Sequence, residues 1–466
     1  MNQISLNRVT IFGPARSGYS ALRMLVEQQI SNITMIGQGE SNQWPNCQEI
    51  YQLIGNDNCL NQESKQAASA IASSSVIILS PGIPREHPLL QQALIEQIPV
   101  ISEIELTYQL LPIPRPKIVA ITGTNGKTTT TTIVGELIEA TGKSVFVGGN
   151  IGIPMAEYIA NGKSAEYMVL ELSSFQLESI TTFHPHVVLF LNIFQNHGER
   201  YTKIDDYFRA KTNIVKNMDE SDHIILPNDI DLIATWGKTI SPTKHWFTNN
   251  NFSALANKIE INYSLDNYQL VGGHNIVNLY CATKILEVLE LDNTPAQKEK
   301  IGKAINLLEG VPHRLQPVKQ GRGEYLALND AKSTNWDATL TALETLGTLK
   351  DKSRDQVFLI LGGQGRNKGD SILPYLSRLN SSVTTILLIG DMAQILSNEI
   401  GDQLAHKVVE TVEQAISFLD QLSKDEQARS ILLFSPAFPS FDQYSNYVER
   451  GEHFISLLAS GENKNE

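Results

Sequence analysis

The sequence predicts an α/β protein built as three domains in series, and three observations carry that prediction. Short β-branched runs alternate with segments of helical spacing along the whole chain, which is the rhythm of parallel βαβ units. Pro112, Pro114 and Pro116 fall close together and interrupt the first such series. The length, 466 residues, suits about three domains of ordinary size, each large enough to bury a core.

In the first series, "RVTIFG", "NITMIG" and "SVIILSPG" are apolar runs ending in glycine, each followed by a helical pattern. "LPIPRPK" then reads as a linker. The second series holds "KIVAITG", "SVFVGG", "YMVLELSS", "VVLFLNI" and "HIILPND". After "LLEGVPHRLQPV" the third brings "YLALND", "VFLILGG", "TILLIGD" and "SILLFSP". Domains are therefore expected at 1–112, 113–312 and 313–466, with only the tail "GENKNE" frayed.

Composition narrows the function classes. With 41% hydrophobic and 19% charged residues the chain is globular, and its net charge of −13 argues against a nucleic-acid partner or an anionic membrane surface. Cys47, Cys59 and Cys281 have no metal-binding spacing and are too few for a disulfide framework, which points to a reducing, cytoplasmic setting. "MNQISLNRVTIFG" lacks a leader pattern, and no stretch approaches the ~20 apolar residues of a membrane helix, so no membrane insertion is expected.

The strongest chemical signal is "VAITGTNGKTTTT". A strand delivering a glycine turn to a helix start aims backbone N–H groups and the positive end of the helix dipole at one spot, which suits phosphate. There Lys127 reaches the outer phosphates and the Thr128 hydroxyl is placed for Mg²⁺. The spacer between Gly123 and Gly126 is shorter than in the common phosphate-loop motif. The competing reading, a tight turn with a solvated lysine, loses to the strand before and the helix after. Glu171 lies inside an apolar run, where an unpaired carboxylate is costly and a metal removes the cost. His197 follows the strand-like "VVLFLNI", where open parallel sheets bind ligands, although a lone histidine there serves as readily at the surface. Lys211, on a half-apolar helix, reads by itself as a snorkelling side chain.

Together these residues resemble a known family, the Mur ligases. The resemblance runs over nearly the full length: "SPGIP" and "SEIEL", then "GTNGKTTTT", "GGNIG", "ELSSFQLE" and "GGHNIVN", then "VPHR", "NDAKSTN" and "SPAFPSFDQYSNYVERG". It implies a Rossmann-like N-terminal domain for a UDP substrate, a central P-loop-type ATPase domain and a Rossmann-like C-terminal domain for an amino acid. The activity implied is ATP-dependent addition of D-glutamate to UDP-N-acetylmuramoyl-L-alanine, through an acyl phosphate and a tetrahedral intermediate, in cytoplasmic peptidoglycan precursor synthesis by a monomer. Another incoming amino acid, such as L-glutamate, is the alternative. A dehydrogenase would rest on the first domain alone, and a nucleotide switch would leave the third-domain motifs unused.

The resemblance also assigns residues. Gly123, Thr124, Asn125, Gly126, Lys127, Thr128 and Thr129 hold ATP, with Asn275 and Asn278 on the adenine side; read alone, that pair is better taken as a polar helix cap. His313, Arg314, Asp330 and Lys332 close over ATP from the third domain. Thr128 and Glu171 hold one of two Mg²⁺ ions, and His197 and Lys211 the other. An ammonium cannot ligate Mg²⁺, and in this family the equivalent lysine is commonly carbamylated, so the same is expected of Lys211, which joins Lys127 and His197 in the catalytic set. Where relatives read aspartate before the histidine, this chain has Asn196, with Gly198 and Glu199 after His197. The UDP substrate is assigned to Arg16, Ser17, Gly82, Asn150, Ser173, Gln176 and Lys332. "FGPARSG" has Ala15 where a dinucleotide fingerprint has glycine, and a plain βα turn explains it equally well. Relatives often carry an acid after the second strand, where this chain has Gly37 and then Glu40. Glutamate is assigned to Thr334, Ser440, Phe441 and Tyr447, with either Arg366 or Lys368 as the cation; Lys368 fits the "KG" pair of many relatives and Arg366 the glycine spacing.

Overall fold

The computed structural model describes residues 4–150, 152–194, 200–201, 203–266, 268, 270, 272–318, 323–349, 356–365 and 370–459. His197 with Asn196, Gly198 and Glu199, and both Arg366 and Lys368, lie outside them.

The chain forms three sheets. The first comprises β1 (Val9–Phe12), β2 (Ile33–Gly37), β3 (Cys59–Asn61), β4 (Val76–Leu79) and β5 (Val100–Ile101) in the parallel order β3-β2-β1-β4-β5. The second comprises β6 (Lys117–Thr122), β7 (Val145–Gly149), β8 (Tyr167–Glu171), β9 (Val187–Phe190), β10 (His223–Pro227) and β11 (Thr243–Phe247), ordered β11-β10-β9-β6-β8-β7 and parallel throughout. The third comprises β12 (Gln316–Val318), β13 (Leu326–Asn329), β14 (Gln356–Gly362), β15 (Thr385–Ile389), β16 (His406–Glu410) and β17 (Ser430–Ala437), ordered β12-β13-β17-β14-β15-β16, with only β12 antiparallel. Central strands are covered on both faces, so β4 and β9 are four-residue apolar runs, and β1 is buried throughout although it includes Thr10.

The described residues divide into two compact units, Met1–Asp266 with Val277–Asn306, and Asn267–Ile276 with Leu307–Glu466. Both of the first two sheets belong to the first unit, and one apolar core runs through them. The reason lies in "SEIEL". Ser102 caps the helix Glu103–Leu110, and the buried Glu105 carboxylate of that helix accepts the backbone N–H groups of Thr181 (2.8 Å) and Phe183 (2.9 Å), which follow β8. Glu103 Oε1 accepts the Ala156 N–H, and Arg23 of the first sheet's helix Arg16–Glu27 pairs with Glu157 at 2.5 Å. A helix that precedes the proline linker is thereby fastened to the second sheet. No helix among the described residues is long and apolar enough to cross a membrane.

Candidate active site

The first unit gathers its polar residues at the carboxyl ends of the central strands. β6 runs into a turn whose Gly123 and Gly126 have φ of +147° and +81°, and the helix Lys127–Ala140 starts directly after it. A Cβ on Gly126 would stand 2.7 Å from Asn278 Oδ1, so the adenine-side candidate Asn278, 4% exposed, closes against the turn. Lys127 Nζ donates to the Gly123 and Thr124 carbonyls at 3.0 and 2.8 Å, which lays the ammonium over the loop. Thr129 is half-buried on the helix's first turn.

Parallel register places Glu171, the last residue of β8, opposite both Ile121 of β6 and Gly149 of β7. Its carboxylate is 2% exposed and is bracketed: Thr128 Oγ1 donates to Oε2 and Asn150 Nδ2 to Oε1, each at 2.8 Å. Gly149 makes this possible, since a Cβ there would lie 2.4 Å from the Glu171 carbonyl. The sequence places Thr128, Asn150 and Glu171 far apart, and the fold brings them together. Thr128 and Glu171 offer hard oxygen donors next to the start of the helix Lys127–Ala140, the kind of donor set Mg²⁺ prefers. No three His, Cys, Asp or Glu side chains among the described residues form a metal cage by themselves.

Lys211, on the helix Ile204–Thr212, does not snorkel. It is 1% exposed, with Nζ 3.4 Å from Thr122 Oγ1 and 4.7 Å from the centre of the Tyr207 ring. Burial first, then the nearby charge of Lys127, hold its ammonium well below the usual lysine range, while Glu171 opposes the shift. A lowered lysine holds its proton less tightly than an exposed one, which favours the amine form needed for reaction.

The remaining first-unit candidates divide between side chains engaged within the fold and positions left open. Ser173 and Gln176 form a capping box at the start of the helix Ser174–Leu177, which accounts for both side chains. In "FGPARSG", Gly13 has φ +107°, and a Cβ on Gly18 would stand 1.9 Å from the Gly13 carbonyl, so these glycines serve the β1-to-helix packing. Arg16 opens that helix, exposed, beside a half-buried Ser17, and Gly82 is exposed with open space around it. At Gly37 a Cβ would strike the Trp44 ring at 2.7 Å, so no larger side chain fits there.

In the second unit, Asp330 directly follows β13. Its Oδ1 accepts the Leu315 N–H at 3.2 Å, and its Oδ2 the Ser333 and Ser435 hydroxyls at 2.5 and 2.8 Å. Burial outweighs those donors and raises its carboxyl to about 6. His313, with φ +62°, sits against Gly451, and its Nδ1 lies 3.0 Å from Asn329 Nδ2. Lys332 Nζ lies 5.4 Å from the centre of the Tyr447 ring. Asn275 also falls in this unit, on the helix Gly273–Val288, and is 8% exposed. Arg314 and Thr334 are half-buried, and Phe441 is exposed. Ser440 is 1% exposed, and its Oγ has no hydrogen-bond partner among the described residues.

Two residues passed over in the sequence stand out here. Arg450, on the helix Tyr447–Ala459, is 1% exposed. One nitrogen donates to the Ala331 and Phe438 carbonyls at 3.2 and 2.9 Å, while its Nε and Nη1 have no partner among the described residues. Its place on the apolar stripe Arg450–Phe454–Leu458 was the available signal. Asn192 lies just past β9, the ligand-binding end of a parallel strand, and its side chain contacts the glycine turn.

Comparison with known proteins places the chain. The Mur ligase middle domain matches residues 121–286. The UDP-N-acetylmuramoylalanine–D-glutamate ligase of Trichlorobacter lovleyi is 32% identical over 98% of this chain and 99% of its own length, and that of Geotalea daltonii is 32% identical over 99% of each. Among solved structures, the MurF ligase from Thermotoga maritima in complex with ADP shares the fold over 99% of both chains, at a TM-score of 0.56 and 15% identity. On full-length similarity at this level, with the three sheets in place, the chain belongs to the Mur ligase family.

Proposed function

We propose that this chain is the ATP-dependent ligase that adds D-glutamate to UDP-N-acetylmuramoyl-L-alanine, yielding ADP and phosphate, in cytoplasmic peptidoglycan precursor synthesis. The observation that carries the reading is the Thr128–Glu171–Asn150 bracket under the glycine turn, in a chain akin over its whole length to ligases of that name.

A carboxylate resists attack by an amine because its oxygen is a poor leaving group. Transfer of the γ-phosphoryl group to that oxygen supplies one, and the incoming amine then displaces phosphate through a tetrahedral intermediate. Here the helix-end amides and Lys127 bind and orient the triphosphate, Asn275 and Asn278 are assigned to the base, and Arg314, Asp330 and Lys332 are assigned to ATP. Thr128 and Glu171 would hold Mg²⁺, which would neutralise phosphate charge. The Lys211 amine would add CO₂, losing a proton and gaining a carboxylate, and this carbamate with His197 would hold a second ion. Arg16, Ser17, Gly82, Asn150, Ser173, Gln176 and Lys332 face the UDP substrate. Ser440, Thr334, Phe441 and Tyr447 frame glutamate, together with Lys368 or Arg366. The functional division follows 1–112, 113–312 and 313–466.

Phosphate release with UDP-N-acetylmuramoyl-L-alanine tests the reading. D-glutamate should support turnover and L-glutamate should not; the reverse assigns the chain to a Mur-type ligase of another amino acid. Turnover that responds to bicarbonate, with the carbamate seen by ¹³C NMR, tests Lys211, and no response to bicarbonate removes the modification.

A further inference from the structure

The glycine turn is held from outside, by the chain just beyond β9. Asn192 Oδ1 accepts the N–H groups of Thr124 and Asn125 at 3.0 and 2.9 Å, and its Nδ2 donates to the Asn125 carbonyl at 3.1 Å. The Asn192 backbone carbonyl accepts the Thr124 N–H as well, at 3.2 Å. Two residues on, the Phe194 N–H donates to Thr124 Oγ1 at 3.0 Å. Gly123 lets the two segments touch: a Cβ there would lie 3.0 Å from Leu191 Cβ and 3.2 Å from Asn192 N.

The chemistry of the side chain fits this place. Its contacts need an acceptor for two amides and a donor for one carbonyl on a single short stem, which a carboxamide provides without charge. A carboxylate would accept as well but would set a negative charge beside a phosphate site, and a serine is too short. With Thr124 and Asn125 tied to Asn192 and Lys127 bonded to the Gly123 and Thr124 carbonyls, the turn keeps its shape before any ligand arrives. The entropy of ordering it is then spent in folding, not in binding.

We infer that Asn192 is a positioning residue for the nucleotide, fixing the phosphate turn through Thr124 and Asn125. The inference rests on the phosphate-loop reading above. Its test compares Asn192→Ala, Asn192→Asp and Lys127→Ala in full-length protein, measuring KM for ATP and for the UDP substrate, kcat, and the unfolding temperature. Asn192→Ala should raise the KM for ATP about tenfold, with the KM for the UDP substrate and the unfolding temperature near wild type, because water can replace the partly exposed bonds. Asn192→Asp keeps the shape and the two accepted bonds, so its KM for ATP should also rise, and the rise should shrink with added salt, a signature that a merely structural asparagine lacks. If Lys127→Ala is inactive while both Asn192 variants keep the KM for ATP within about twofold, the inference falls alone. If Lys127→Ala still turns over normally, the phosphate-loop reading falls with it.

Discussion

The phosphate turn and the β17 end of the third sheet treat buried polarity in opposite ways. At the turn, Glu171 is met by Thr128 and Asn150, and Lys127 and Asn192 bond to the loop backbone. Beyond β17, Ser440 Oγ and the Nε and Nη1 of Arg450 are buried with no partner among the described residues. Buried donors left unmatched cost free energy, so the two regions carry different loads. On the proposed assignment, the turn is a cradle whose form the protein's own atoms already set, so a triphosphate would bind it with little ordering, and the β17 end is a pocket whose donors the carboxylates of an amino acid would match.

The largest effect should come from Lys127→Ala. Removing the loop's cation should cost about 3 kcal/mol or more of transition-state stabilisation, read as loss of ADP release, while circular dichroism shows an unchanged fold. A variant that turns over near normally would break the comparison at its first term.

Arg450→Ala attacks the other term. It leaves the Ala331 and Phe438 carbonyls buried without a donor and opens a cavity under the Phe434 ring, so denaturant unfolding should show a loss of about 3 to 5 kcal/mol. A loss under about 1 kcal/mol would mean that the guanidinium holds little of the fold and is reserved for a ligand.

Asp330 gives a pH-dependent test. Its folded-state value, about 6, lies above the ordinary 3.8. The folded chain therefore binds this proton more tightly than the unfolded one, and the contribution to stability is full below about 4 and lost as pH rises through about 6. Asp330→Asn should remove that dependence, so wild type should lose up to about 3 kcal/mol relative to the variant between those limits. Parallel stability profiles would contradict the burial argument.

Ser440→Ala is the mildest change and sharpens the contrast most. Because its hydroxyl has no partner among the described residues, the unfolding free energy should stay within about 0.5 kcal/mol. The KM for glutamate should nevertheless rise about tenfold while that for ATP does not move. An unchanged KM for glutamate would take Ser440 out of the pocket.

The interior strands were legible in the sequence, and of the sheet-edge strands only β7, in "SVFVGG", was. Of the strands not expected, β3, β5, β11, β12 and β16 all lie at sheet edges. They are short, as in "VI", or polar, as in "TKHWF", because an edge is half covered and needs no continuous apolar run. The site divides in the same manner. "GTNGKTT" announces itself by local spacing, since a glycine turn at a helix start is a local device. Asn192 has no local pattern, because its role depends on a strand end that parallel pairing brings beside the turn.

The sequence by itself determined the α/β class, the phosphate turn and the family resemblance, all of which rest on short-range periodicity or contiguous motifs. Only the tertiary structure decided that Lys211 is buried beside Thr122 and the Tyr207 ring, and that Glu171 is bracketed from two elements. It also decided that the first two sheets share one core across a proline-rich linker. Burial, partner identity and the shift of a lysine are properties of the surroundings, and the surroundings of a residue are set by chain that lies far from it in sequence.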